Sequence, residues 1–185
     1  MRAGAGELIK YALIGPEALR RLIIKNLAGA LKGEPAALQE LVAACADFKL
    51  KLTAGDERDE TGLREILNLG HTAGHAFEAV SKGRLSHGEA VLWGLRYAYL
   101  LSARLKVLEP RHQKASREIL WGTQVPPLAA ACFNFTIFHK LICYDKKAGA
   151  AGNRFLLIEK PGRIKAADNI APGMLKTTLT ELKNL

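Results

Sequence analysis

Apolar residues recur every three or four positions through most of the chain, the period of helices buried along one face. The pattern predicts a short helix over Gly6 to Ile14, stopped near Gly15-Pro16. Pro16 leads into a second helix, Glu17 to Lys32, which Gly33 closes, and Pro35 starts a third that reaches about Leu52. Thr53 to Gly62 is a charged, polar connector. A helix is predicted from Leu63 to about Val80, closed by Lys82-Gly83. Ser86 is placed as the N-cap, with Glu89 three residues on, of a helix running to about Lys106. Pro110 opens another, to about Trp121; Pro126-Pro127 breaks the chain, and Leu128 to Ile142 reads as a further helix. Only near the end does the period change. Arg154 to Ile158 reads as a strand, Pro161-Gly162 as a turn and Arg163 to Ala167 as the returning strand, before a last helix from Pro172 to about Lys183. The expected fold is mainly α: a multi-helix domain, residues 1–185, with one small β-hairpin near the C-terminus.

One segment breaks the simple apolar pattern. In the helix starting at Leu63, Arg64, Asn68, His71, His75 and Glu78 follow one another at steps of four, three, four and three, so a continuous helix stacks them on one face. Gly70 and Gly74 leave little side chain beside the histidines, which lets another backbone or a ligand come close. Two glycines inside a helix cost roughly 1 kcal/mol each relative to alanine, so something must offset them. His87, at the start of the next helix, lies within reach if the two helices pair. The histidine spacing suits a metal, but Thr72 stands where a zincin has its glutamate. A catalytic zinc takes three protein ligands and keeps one position open. The carboxylate ligand has three candidates: Glu7, beside Lys10 on the first helix, or the nearby Glu78 and Glu89. His112 and His139, Trp93 and Trp121, and the Phe133 to Phe138 group read as ordinary surface or core residues.

Composition narrows the class. The chain has 185 residues, a formal net charge of +9 and three widely spaced cysteines. The basic balance favours an anionic partner. Its lysines and arginines are scattered and no aromatic RNA-binding motif accompanies them, so nucleic acid is not the expected partner. No apolar run approaches the roughly 18 residues of a membrane span. With no signal-peptide layout, and with Cys45, Cys132 and Cys143 read as reduced thiols, the expected location is the cytoplasm. No dinucleotide-binding GxGxxG is found.

The motifs GELIKYALI (Gly6 to Ile14), GLREILNLGHTAGHAFE (Gly62 to Glu78), SHGEAV (Ser86 to Val91), and DKK followed by GNRFLLIEKPG (Asp145 to Gly162) resemble those of the 3-dehydroquinate synthase family, within the sugar-phosphate cyclases. The order and spacing agree from end to end. The resemblance implies a lyase of the shikimate pathway that uses Zn²⁺ or Co²⁺ together with NAD, and turns 3-deoxy-arabino-heptulosonate 7-phosphate into 3-dehydroquinate and phosphate. It implies an amino-terminal NAD-binding domain, absent from this chain, so that the chain alone is expected to be inactive and to have that domain, the sugar phosphate and possible homodimer formation as its partners. It also implies residue roles: Glu7, His71 and His87 as metal ligands, Lys10, His75 and Glu60 as catalytic residues, and Arg64, Asn68, His75, Lys49 and Lys146 as substrate-binding residues. Arg64 would take the substrate carboxylate, for which its planar fork is suited, while Asn68, His75 and Lys146 would take the phosphate. The chain departs from the family at Ala73, usually bulkier, at Gly6-Glu7-Leu8, usually Ala-Glu-Val, and in the connector Asp56 to Arg64, one residue longer. The last of these leaves Lys51 as an alternative to Lys49. A related sugar-phosphate cyclase and a non-catalytic helical module are the competing readings.

Overall fold

The computed structural model describes residues 2–54, 62–144 and 152–185. Among these it shows eight α-helices: α1 (Arg2–Ile14), α2 (Glu17–Lys32), α3 (Pro35–Ala54), α4 (His71–Ser81), α5 (His87–Arg104), α6 (Pro110–Trp121), α7 (Phe135–Tyr144) and α8 (Pro172–Lys183). Two 3₁₀ helices, Leu63–Asn68 and Ala130–Phe133, precede α4 and α7. Strands β1 (Arg154–Lys160) and β2 (Arg163–Asp168) pair antiparallel, with Phe155 opposite Ala167 and a register shift between Ile158 and Lys160. The mainly α fold with a single hairpin is the one the periodicity predicts. None of the described helices is long and apolar enough to cross a membrane.

Helix α5 is the axis of the domain. Its residues from Ala90 to Ser102 are buried almost without interruption, because α1, α4, α6, α8 and β1 all pack on it. A helix covered on all sides can keep a polar group only where that group is satisfied. Ser102 Oγ donates to Ala98 O and accepts from Ile158 N at 2.8 Å, which docks β1. Tyr97 Oη donates to Leu175 O of α8 at 3.0 Å. The Arg96 guanidinium lies over the Trp93 and Trp121 rings and donates to Leu120 O and Thr123 O at the end of α6. Phe77 of α4, fully buried, stacks on Phe138 of α7 with ring centroids 5.4 Å apart. Burying an aromatic of this size is worth about 2–3 kcal/mol.

Two predicted helices are corrected. The segment from Leu63 to Val80 is not one helix. A 3₁₀ helix ends at Asn68, Leu69 leaves the helical region with φ −53° and ψ 128°, and Gly70 caps α4 with φ near +79°. That backbone suits glycine, so Gly70 is a break and not a costly helix-interior residue. Only His71, His75 and Glu78 of the five-residue stripe share an α-helix. The helix placed over Leu128 to Ile142 likewise starts late: residues 130–133 form a 3₁₀ turn, and Asn134, extended, accepts Ile137 N on its side-chain oxygen at the start of α7.

Ends and anchors otherwise follow the local chemistry. Gly33 caps α2 in the left-handed region, and Ser86 with Glu89 forms a capping box on α5. The hairpin is tied to the site helices at two points. Gly162 N in its turn donates to Leu13 O at 2.8 Å, satisfying a carbonyl at the end of α1. Thr72 Oγ1 on α4 donates to Arg154 O at 3.1 Å, while Arg154 itself pairs with Glu65 and Asp168.

Candidate metal centre

Three helices meet where their side chains are smallest. A Cβ placed on Gly6 of α1 would lie 1.9 Å from the Gly88 carbonyl oxygen of α5. One on Gly94 of α5 would lie 1.9 Å from Gly70 O and 2.7 Å from Gly74 N, and one on Gly74 of α4 would lie 3.1 Å from Ala90 O. Helices α1 and α4 therefore rest on α5 at backbone contact. Each of these contacts adjoins a polar residue: Glu7 follows Gly6, His71 follows Gly70, His75 follows Gly74 and His87 precedes Gly88. The close approach that fixes the packing is the same one that gathers the four side chains.

The gathered atoms lie close together. Glu7, His71 and His87 each offer a donor atom, and these atoms lie within 4.8 Å of one another. Glu7 Oε1 is 3.6 Å from His71 Nε2 and 4.0 Å from His87 Nε2. The His75 ring stands beside them, its centroid 5.3 Å from that of His71 and 5.8 Å from that of His87.

Hydrogen bonds fix which atoms remain free. His71 Nδ1 is 3.2 Å from Leu69 O, and since a carbonyl only accepts, Nδ1–H is the donor and Nε2 carries the lone pair. Burial, and after it the charge of Lys10, pushes the His71 pKa down to about 4, so the ring is neutral at physiological pH. Lys10 Nζ donates to Glu7 Oε2 at 2.6 Å and leaves Oε1 facing the histidines. Oε1 is buried and has no hydrogen-bond partner among the described residues. A carboxylate oxygen turned toward a neutral imidazole lone pair is repulsive unless a cation lies between them. Two imidazoles and one carboxylate, with an open side, are the donor set of a catalytic Zn²⁺ or Co²⁺. The residues fit such an ion.

The competing carboxylates are engaged elsewhere. Glu89 Oε2 accepts from Ser86 N at 2.9 Å and from Ser86 Oγ at 2.7 Å, within the α5 cap. Glu78 Oε2 lies 3.0 Å from His87 Nδ1, on the side of that ring away from Glu7. The sequence shows Glu78 on the polar stripe but not this contact, because it depends on where α5 begins relative to α4.

The remaining predicted residues are less tightly gathered. Lys10 is almost wholly buried, and burial lowers its pKa; the Glu7 hydrogen bond opposes that shift and the charge of Lys49 adds to it. Lys51, exposed on α3, pairs with Asp47 at 2.7 Å. Arg64 and Asn68, both half-buried, lie on the 3₁₀ helix leading into α4. Glu60 and Lys146 fall outside the described residues. His112 pairs with Glu109, and His139 contacts Phe135 and Cys143, so neither joins the cluster.

The depressed His71 pKa has a consequence for the metal-free chain. The unfolded histidine takes its proton near pH 6.5 and the folded one only near 4, so between these values the unfolded state holds the extra proton and stability rises with pH. Stability is therefore expected to fall by up to about 3 kcal/mol as pH drops from about 6.5 to about 4. Urea unfolding at several pH values, compared with His71→Ala, checks this; an equal decline in both proteins would assign it to other groups.

The family described as 3-dehydroquinate synthase C-terminal matches residues 4–148. A 3-dehydroquinate synthase of Dehalococcoides mccartyi is 33% identical over 180 residues, which cover 97% of this chain and 50% of that protein. The chain thus spans about half the length of the curated relatives it matches. Among solved structures, the 2-epi-5-epi-valiolone synthase of Streptomyces hygroscopicus subsp. jinggangensis, with NAD⁺ and Zn²⁺ bound, superposes with a TM-score of 0.78 at 20% identity, covering 99% of this chain and 51% of that one. A 2-deoxy-scyllo-inosose synthase complexed with carbaglucose-6-phosphate, NAD⁺ and Co²⁺ gives 0.77 at 22% identity, covering 97% and 52%. At these identities the two structures establish the fold.

Proposed function

Because this chain belongs to the 3-dehydroquinate synthase C-terminal family, we propose that it is the metal- and substrate-binding half of a 3-dehydroquinate synthase, a lyase of the shikimate route to aromatic amino acids. Its substrate is 3-deoxy-arabino-heptulosonate 7-phosphate, and the products are 3-dehydroquinate and phosphate. The observation that carries this reading is Glu7 Oε1, buried, without a hydrogen-bond partner among the described residues and aimed at His71 and His87.

Glu7, His71 and His87 are the ligands of a divalent ion, Zn²⁺ or Co²⁺. When bound, the ion supplies a Lewis acid that stabilises negative charge developing on a substrate oxygen. Lys10, buried against Glu7, would hold or pass the proton of a reacting hydroxyl. His75, exposed beside the ligands, meets the phosphate together with Asn68 and Lys146. Arg64 takes the carboxylate, Lys49 adds a positive charge near Lys10, and Glu60 shapes the metal side of the site. NAD would be held by the half of the relatives that this chain does not cover. The net charge of +9 draws in a substrate that carries both a phosphate and a carboxylate. Catalysis by these residues is chiefly orientation and electrostatics.

The test joins this chain to the amino-terminal half of the D. mccartyi relative. The fusion is expected to release phosphate from 3-deoxy-arabino-heptulosonate 7-phosphate with NAD⁺ and Zn²⁺, and the chain alone is expected to release none. A folded, metal-loaded fusion that ignores this substrate, or robust turnover by the chain alone, would refute the reading. The likeness to two other cyclase structures keeps a related sugar-phosphate substrate in view. Arg64 discriminates between them, since carbaglucose-6-phosphate has no carboxylate for a guanidinium fork to grip. In the fusion, Arg64→Ala is expected to raise KM for the carboxylate substrate about tenfold or more, the loss of a charge-assisted pair; an unchanged KM would favour a substrate without one.

A further inference from the structure

We propose that Glu78 is a positioning residue for the metal centre: by accepting the His87 Nδ1 proton it sets the tautomer and the angle of that ring, so that Nε2 faces the ion. The inference rests on the metal reading above. Its starting point is a ring with two engaged nitrogens. His87 Nδ1 lies 3.0 Å from Glu78 Oε2, while Nε2 is turned toward Glu7 Oε1, 4.0 Å away. An ionised carboxylate has no proton to give, so Nδ1–H must be the donor. In the neutral ring Nε2 is then the bare nitrogen. Left to itself in water, a histidine favours the opposite tautomer, with the proton on Nε2, which would block the metal.

The two ligand histidines solve the same problem by different means. His71 is half-buried and has a backbone carbonyl, Leu69 O, to hold its Nδ1–H. His87 is about half exposed, and as the first residue of α5 it has no preceding helical turn to lean on. The carboxylate comes instead from the facing helix α4, one turn beyond His75. Glu78 also adds negative charge behind the ring and makes Nε2 a better donor. The α4 residue that supplies this contact is thus fixed by the same α4–α5 packing that places His71.

A rival arrangement uses the same atoms. His75, Glu78 and His87 also bring one donor atom each within 4.8 Å of the others, a grouping in which Glu78 would be a ligand of a second ion. The hydrogen-bonding distance from Glu78 to His87 Nδ1 argues against this, because a second ion would have to displace that proton and leave His87 bridging two metals.

The experiment uses the whole chain. Zn²⁺ affinity is measured by competition with a chelator, Co²⁺ loading by its visible absorption, and the His87 tautomer in the metal-free protein from the ring ¹⁵N shifts at a pH where the ring is neutral. Wild type is expected to bind one Zn²⁺ and to show His87 protonated on Nδ1. Glu78→Ala is expected to bind one Zn²⁺ about tenfold more weakly, at the low end for an outer partner because the contact is half exposed. It should keep the same type of Co²⁺ spectrum, and its metal-free His87 should shift toward the Nε2–H form. Glu78→Gln, whose amide oxygen still accepts from Nδ1–H, should keep the tautomer and lose only a few-fold in affinity; this variant decides the matter if the alanine variant does not fold. An affinity within twofold of wild type, an unchanged tautomer in Glu78→Ala, or loss of a second Zn²⁺ would each overturn the proposal. If wild type binds no metal at all, the metal reading fails, while the tautomer shift still decides the role of Glu78.

Discussion

Replacing Gly6 by alanine is expected to lower the melting temperature by about 6–12 °C and to weaken zinc binding more than tenfold, although alanine is the better helix former. The added methyl would sit 1.9 Å from Gly88 O, 2.9 Å from Gly88 C and 3.1 Å from Leu92 N. All three are backbone atoms, so no rotamer change relieves the clash, and α1 must lift from α5. Overpacking of this kind costs about 3 kcal/mol, the upper end of its usual range. The metal suffers as well, because Glu7 is the next residue and moves with α1 while His87 stays with α5. Gly4→Ala is the control. It lies in the same helix, and a Cβ there meets nothing within 4 Å, so it should be neutral or stabilising by up to about 1 kcal/mol. Calorimetry and zinc competition on both variants check this. Equal melting temperatures for Gly6→Ala and Gly4→Ala would show that the α1–α5 contact is looser than described.

Removal of the His71 imidazole is expected to abolish zinc binding at micromolar concentration. An outer partner of a ligand is worth roughly 10–100-fold in affinity, and loss of a ligand from a set of three must exceed that. The fold should not suffer in proportion. Metal-free His71→Ala relieves the burial of an ionisable ring, and it should be less sensitive to acid than wild type between about pH 6.5 and about pH 4. Dialysis against zinc followed by metal analysis reads the result; a full equivalent retained by His71→Ala would place the ion elsewhere.

The helices were legible because their signals are local. Pro16, Gly33, Pro110 and Pro172 punctuate the chain where the structure begins or ends an element, and Ser86 with Glu89 marks α5 to the residue. The break at Leu69-Gly70 was not legible, because Arg64, Asn68 and His71 keep helical spacing across it. The contacts at the break are distant in sequence: Gly94 lies against Gly70 O, and a Cβ on Gly70 would meet Leu95 N at 2.8 Å. The site was legible as a set of residue types and by resemblance. Its three-dimensional logic was not, since the Lys10–Glu7, Leu69–His71 and Glu78–His87 contacts that aim the donors depend on helix crossings. Glycine positions carried the missing signal. Gly6, Gly70, Gly74 and Gly88 each adjoin one of the gathered polar residues, a coincidence that a core-packing role alone does not require.

The most direct measurement of the centre is X-ray absorption at the zinc edge on the chain loaded with one equivalent of Zn²⁺. The predicted spectrum has a first shell of nitrogen and oxygen at roughly 2.0–2.2 Å, with the outer scattering of two imidazoles. A sulfur shell near 2.3 Å, or an oxygen shell without imidazole scattering, would show that Glu7, His71 and His87 do not hold the ion.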